Sequence, residues 1–202
     1  MVGVVVQRKE VSELVRLCAV DFLTREILVD TYVNPKHRVV AWRSKVSGVT
    51  ERLLTDMIQQ GRTVDGWQAA RALLWQHIDE DTILIGHSLN NDLNVLGMIH
   101  TRVVDSAILT KDTVGPDCNR CWALKTLCQR FLDWEIQAGA AGHDCIEDTF
   151  AAREVLLWCL QHPDQLRNWA AIESDLIAKK KAEKAATMRD NNEAKEKEGK
   201  RR

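Results

Sequence analysis

The first forty residues alternate short runs of β-branched and aromatic side chains with polar breaks, the pattern of strands with a buried face. VGVVV at residues 2–6 is the first such run; ELVRLCAVDF and ILVDTYV follow, separated by the turn-like LTRE. Adjacent antiparallel strands are expected from that pair. Beyond residue 50 the period becomes helical. Thr50 is placed to cap a helix reaching about Gln60. Asp65 with Gln68 resembles a capping box opening a helix to about Ile78, on which Trp67, Ala70, Leu74 and Ile78 share a face. The run TILIG suits a buried strand, with a helix from about Asn90 to Ile99 behind it. VVD predicts another short strand, and helices are expected at DSAILTK, near 121–132 and near 145–160. Three strands followed by alternating helix and strand make an α/β domain with a mixed sheet.

Composition narrows the class. A chain of 202 residues with 45% hydrophobic side chains can bury a core, and none of its apolar runs approaches the ~18 residues of a membrane span. The 28 basic and 29 acidic residues leave no basic coat. MVGVVVQRKE lacks the pattern of a secretory signal, so an intracellular, reducing setting is expected, with the cysteines at 18, 118, 121, 128, 145 and 159 as thiols. Charge is uneven: the 30 residues from Glu173 hold 10 Lys/Arg and 7 Asp/Glu, leaving 18 basic against 22 acidic before them. The body is therefore negative and the tail positive. No large apolar residue follows Met188, so a domain over 1–165 and a charged helical or disordered tail over 166–202 are expected. That tail doubles as a weak nuclear-localisation or nucleic-acid-contacting segment.

Two acids break the pattern. On a helix over 90–99, Asp92 shares its face with Val95, Leu96 and Ile99; Asp148 shares one with Ala151, Ala152, Val155 and Cys159, behind a possible Asp144–Glu147 capping box. Both are expected to point inward. A carboxylate held from water costs several kcal/mol unless a cation or donors meet it, and hard divalent ions suit carboxylate oxygens. His143 precedes Asp148 by five residues, on the loop before its helix, where an imidazole could take a proton from water. Inward acids, Mg2+ or Mn2+ and a histidine together point to phosphodiester hydrolysis by two metal ions. Singly, Asp92 is also a helix-start acid, His143 a surface histidine, and Asp105 a helix N-cap.

GHSLNNDL (86–93) and HDCIEDTFAAREVL (143–156) resemble the second and third motifs of the DEDDh 3'-to-5' exonucleases, the superfamily of ribonuclease T. SELVRLCAVD, VDTYVNP and RSKVSGVT resemble segments of the RNA exonuclease 4 group, which includes the interferon-stimulated exonuclease and ribosomal-RNA processing enzymes. The likeness runs collinearly over about residues 1–160. It implies a ribonuclease H-like fold, a mixed sheet flanked by helices with the site at strand ends. It also implies single-stranded RNA or DNA 3' ends as partners and a nuclear or nucleolar setting. By the same likeness Asp92 and Asp148 are metal ligands and His143 the general base; His87 and Asn91, which flank Asp92, are candidates to touch substrate. The family's first strand carries an Asp-x-Glu pair just ahead of a segment like MVGV, which here is the start of the chain. The resemblance therefore implies an N-terminally truncated first strand, impaired metal binding and slow or absent hydrolysis. An internal methionine taken as the start, or a truncated pseudoenzyme, would each account for it.

Three alternatives compete. Cys118 and Cys121 form a C-x2-C pair with Cys128, His143 and Cys145 downstream, a weak pattern for zinc or thiol redox chemistry. A catalytically inactive RNA-binding or scaffold protein is the other class, opposed by the negative body. Tryptophans 67, 75, 122, 134 and 158 read as packing before base stacking, and the loop of Arg43, Ser47 and Gly48 is a candidate for phosphate contact.

Overall fold

The computed structural model describes residues 1–6, 9–139 and 142–199. The final three residues of the expected tail, 200–202, lie outside the described residues. Strand β1 (Val2–Val6) lies between β2 (Lys9–Glu13) and β5 (Val39–Ala41), antiparallel to both. Strand β3 (Arg16–Val20) runs antiparallel to β4 (Ile27–Asn34), and β4 runs parallel to β6 (Thr63–Asp65). A parallel pair, β7 (Leu84–Gly86) and β8 (Val103–Asp105), completes the α/β arrangement. The pairing of ELVRLCAV with ILVDTYV is as the alternation predicts, although the chain breaks between β2 and β3 at Leu14 and Val15.

Helices cover the sheets. After the short turn α1 (Ser44–Ser47), α2 (Glu51–Gln59) begins where Thr50 accepts the Leu53 N–H at 3.2 Å. Helix α3 (Gly66–Leu74) buries Ala70 and Leu74 and ends four residues before Ile78. Asp65 does not cap it, because its carboxylate instead accepts from Asn34 across the β4–β6 pair at 3.2 Å. Helix α4 (Asn90–Val95) is also shorter than expected: Gly97, at φ 56°, takes the left-handed turn that stops it, and Ile99 is 98% exposed. Helices α5 (Ser106–Val114), α6 (Leu124–Leu132) and α7 (Cys145–Gln161) follow. Asp105 caps α5 through Ala107 N–H at 2.9 Å.

Three apolar clusters hold the fold. Val2, Val4, Val15, Val49 and Leu54 fix β1 against α2. Leu14, Leu17, Val29, Val33, Ala70, Leu74 and Leu96 join β3 and β4 to α3. The third gathers α6, α7 and the start of α8 (Pro163–Gly199) around Leu127, Cys128 and Ile136. Leu166 and Ala170 are buried in it, Trp169 and Ile177 pack against it, and Glu173, 2% exposed, pairs with Arg120 and Arg130. The packed body thus continues into α8 beyond residue 165.

Candidate functional site

Helix α7 packs against β3 and β7. Asp144 caps it, accepting Ile146 N–H at 2.9 Å and Glu147 N–H at 3.0 Å. Glu147 does not complete a capping box, since its carboxylate takes the Gln137 backbone N–H at 3.0 Å. Arg16 of β3 reaches Asp144 at 3.0 Å while also holding Asp30 at 3.1 Å, so the strand clamps the helix start. Burial opposes the Asp144 charge, but Glu147 N–H and Arg16 outweigh it and hold the carboxyl below its usual range.

One turn on, Asp148 is half-buried. Its Oδ1 accepts from Gln137 Nε2 at 2.7 Å, and its Oδ2 stands 3.3 Å from His143 Nδ1. Burial raises the Asp148 carboxyl; Gln137 and His143 pull it back, and Glu147 adds to the rise. With Nδ1 facing a carboxylate, His143 is oriented so that its other ring nitrogen is the one to exchange a proton with water. His143, expected on the loop before this helix, meets Asp148 directly; Gln137, in a left-handed turn at φ 58°, carried no sequence signal.

The turn after β7 carries the other candidates. Asp105, 6% exposed, accepts Ser88 N–H at 2.9 Å and Leu89 N–H at 2.7 Å, pinning the turn from β7 into α4 as well as capping α5. His87 Nδ1 lies 2.9 Å from Ser106 Oγ, and burial lowers its pKa against the opposing pull of Asp105, the Trp122 carbonyl and Asp148. Asn91 donates to Ser88 O at 3.1 Å, a local backbone bond. Asp92 corrects an expectation. It is solvent-exposed, because α4 stops at Val95 and turns only Leu96 fully into the core. Protein nevertheless crowds its carboxyl, and desolvation pushes it up to about 6, with the Met1 ammonium pulling down and Asp105 adding to the rise. That ammonium is itself lowered by burial, which Cys145 and Asp92 oppose.

The donor set is a test of metal binding. Among the described residues no three His, Cys, Asp or Glu side chains gather closely enough to hold an ion. Asp148 has both oxygens engaged by protein, and Asp92 stands apart on α4. These residues do not fit a two-ion centre, and no chemical step is derived through one. The C-x2-C pair is split, Cys118 buried and Cys121 exposed, while Cys128 lies wholly in the core. Trp122 is buried and Trp67, Trp134 and Trp158 pack against cores, whereas Trp75 is 53% exposed. Arg43, at φ 47°, reaches Glu10 and Ser12 across the β1 sheet.

No family model matches the chain. It is 36% identical over 146 residues to RNA exonuclease 3 of Candida albicans, covering 71% of this chain and 33% of that protein. It is 36% identical over 146 residues to the human RNA exonuclease 1 homolog, covering 72% of this chain and 11% of that one. The chain thus spans about a third or less of the length of these relatives. Among solved structures, the Neurospora crassa Pan2 catalytic unit superposes at TM-score 0.67 and 21% identity, over 85% of this chain and 28% of that chain. The Saccharomyces cerevisiae Pan2 pseudoubiquitin hydrolase-RNA exonuclease module in complex with AAGGAA RNA superposes at TM-score 0.66 and 20% identity, over 85% of this chain and 29% of that chain. These superpositions establish the ribonuclease H-like exonuclease fold.

Proposed function

The chain belongs to the DEDDh-type 3'-to-5' exonuclease family, and from that premise we propose that it engages the 3' ends of single-stranded RNA in the cleft between α4 and α7. The observation that carries this reading is the His143–Asp148 pair, 3.3 Å apart at the head of α7 and backed by Gln137. In that cleft His143 is the general base toward water, and Asp148 orients it. Enzymes of this family work with divalent metals; Asp92 and Asp148 are the carboxylates that the resemblance proposes for Mg2+ or Mn2+, although the described residues do not gather them into one centre. His87 and Asn91, at the turn into α4, line the approach of the terminal nucleotide. Ribosomal-RNA processing in the nucleus is the setting proposed from the resemblance to processing enzymes.

The test uses 5'-labelled single-stranded RNA with a free or a blocked 3' end, in Mn2+ and in chelator. Ion-dependent shortening of the free end alone is expected, abolished by His143→Ala. No shortening of the free end in Mn2+, or shortening unchanged by His143→Ala, would sink the proposal. A second reading, an inactive RNA-binding domain, draws on the engagement of both Asp148 oxygens by Gln137 and His143. RNA binding that is indifferent to Mg2+, with no shortening of the free end, would favour it.

A further inference from the structure

His143 is held by backbone, not only by Asp148. The chain enters α1 through Arg43 in a left-handed conformation and leaves it at Gly48, φ 67°, whose N–H bonds Ser44 O at 2.9 Å. This turn lies directly on the loop before α7. A methyl group at Gly48 would overlap the His143 carbonyl oxygen, and one at Gly142, φ 92°, would overlap the Ser44 carbonyl oxygen. The contact is reciprocal: each glycine gives up its side-chain volume to a carbonyl on the opposite segment. Ser44 and Ser47 stiffen the turn, both hydroxyls bonding Val49 O, at 3.0 and 3.2 Å. Backbone against backbone leaves no flexible side chain to absorb an added Cβ.

We infer that Gly48 and Gly142 are positioning residues: together they form a seat that fixes where the His143 ring stands relative to Asp148. The inference rests on the reading of His143 as a general base for the question of rate, but the seat itself is a matter of geometry. The segment SGVT thereby gains a role distinct from phosphate contact. Gly61 supplies the control. Its φ of 65° matches that of Gly48, yet nothing lies within 4 Å of the place its Cβ would occupy. Substitution at the two sites imposes the same backbone strain and differs only in the collision with His143.

The experiment compares Gly48→Asn with Gly61→Asn in the 202-residue protein, asparagine being the side chain that best tolerates a left-handed residue. The primary readout is the nuclear Overhauser contact between the His143 ring and the Asp148 side chain, assigned with His143→Gln. Loss of that contact in Gly48→Asn and its retention in Gly61→Asn is expected, and Gly142→Ala should reproduce the loss. Where the parent shortens RNA, kcat of Gly48→Asn should fall about 100-fold with KM within about twofold, the scale of losing a placed general base. Retention of the contact in Gly48→Asn, or equal loss in Gly61→Asn, would overturn the inference. Absence of RNA shortening by the parent would count against the proposed function alone, since the ring contact still decides the role of the glycines.

Discussion

Replacing Arg16 by methionine keeps the packed stem and removes the charge that joins β3 to α7. The guanidinium is 14% exposed and bonds Asp30 at 3.1 Å and Asp144 at 3.0 Å, with the Tyr32 ring 5.3 Å away. The acceptors are 39% and 55% exposed, so solvent discounts each pair to about 0.5–1 kcal/mol. A cation–π contribution of about 0.5 kcal/mol brings the expected loss to about 2 kcal/mol. At about 3 °C per kcal/mol for a chain of this size, melting should fall by about 6 °C. The loss should also depend on pH with a definite sign. Asp144 is held below its usual range in the fold, so its contribution is present above the unfolded value near 3.9 and disappears as pH drops through the folded one. The gap between Arg16→Met and the parent, followed by circular dichroism, should therefore be full at pH 7 and narrow below about pH 4. A melting shift under about 1 °C at pH 7 would refute the clamp, and a gap that widens in acid would refute its electrostatic origin.

Asp92 gives the opposite sign. Its carboxyl is pushed up to about 6 in the fold, so the folded state binds a proton that the unfolded state releases above about 3.9. Stability measured in chelator should decline as pH rises between about 4 and 6, and Asp92→Asn should flatten that decline; an unchanged profile would reject it. Ending the chain at residue 178 should leave melting close to that of the full chain. Ending it at 165 removes Leu166, Trp169, Ala170 and Ile177 from the third cluster and should cost several kcal/mol in urea unfolding. Leu127→Ala, at a side chain with no exposure, should cost about 3 kcal/mol by the same measurement.

What the sequence disclosed was local. Thr50, Asp105 and Asp144 cap their helices as their positions predict, because a cap and its N–H partners are two or three residues apart. Asp65 looks identical in sequence, yet Asn34 of β4 claims its carboxylate, a partner 31 residues away. The stripe through Asp92 failed for a similar reason. Counting at helical spacing to Ile99 ignores Gly97, which turns left-handed against the Trp67 ring and ends the helix early. His143 was legible as a loop residue five positions ahead of Asp148 at a helix start, whereas Arg16 meets Asp144 across 128 residues of chain. Gln137 was invisible because its role comes from a loop conformation, not from a periodic position.

The head of α7 is where these distant segments converge. Arg16 holds Asp144 from β3, Gly48 seats the His143 backbone from α1, and Gln137 fixes Asp148 and Glu147 from the loop after α6. None of the three lies in an apolar cluster, so each can be removed without opening a core. Placement of the His143–Asp148 pair and stability of the domain are then separable. Stability follows Leu127, Val155 and Val33 with a share from the Arg16 clamp, while geometry at the cleft follows three tethers that meet neighbouring residues at the head of α7. Because they act on one short segment, residues 143–148, their effects on the His143–Asp148 contact should be non-additive, whereas their effects on melting should nearly sum.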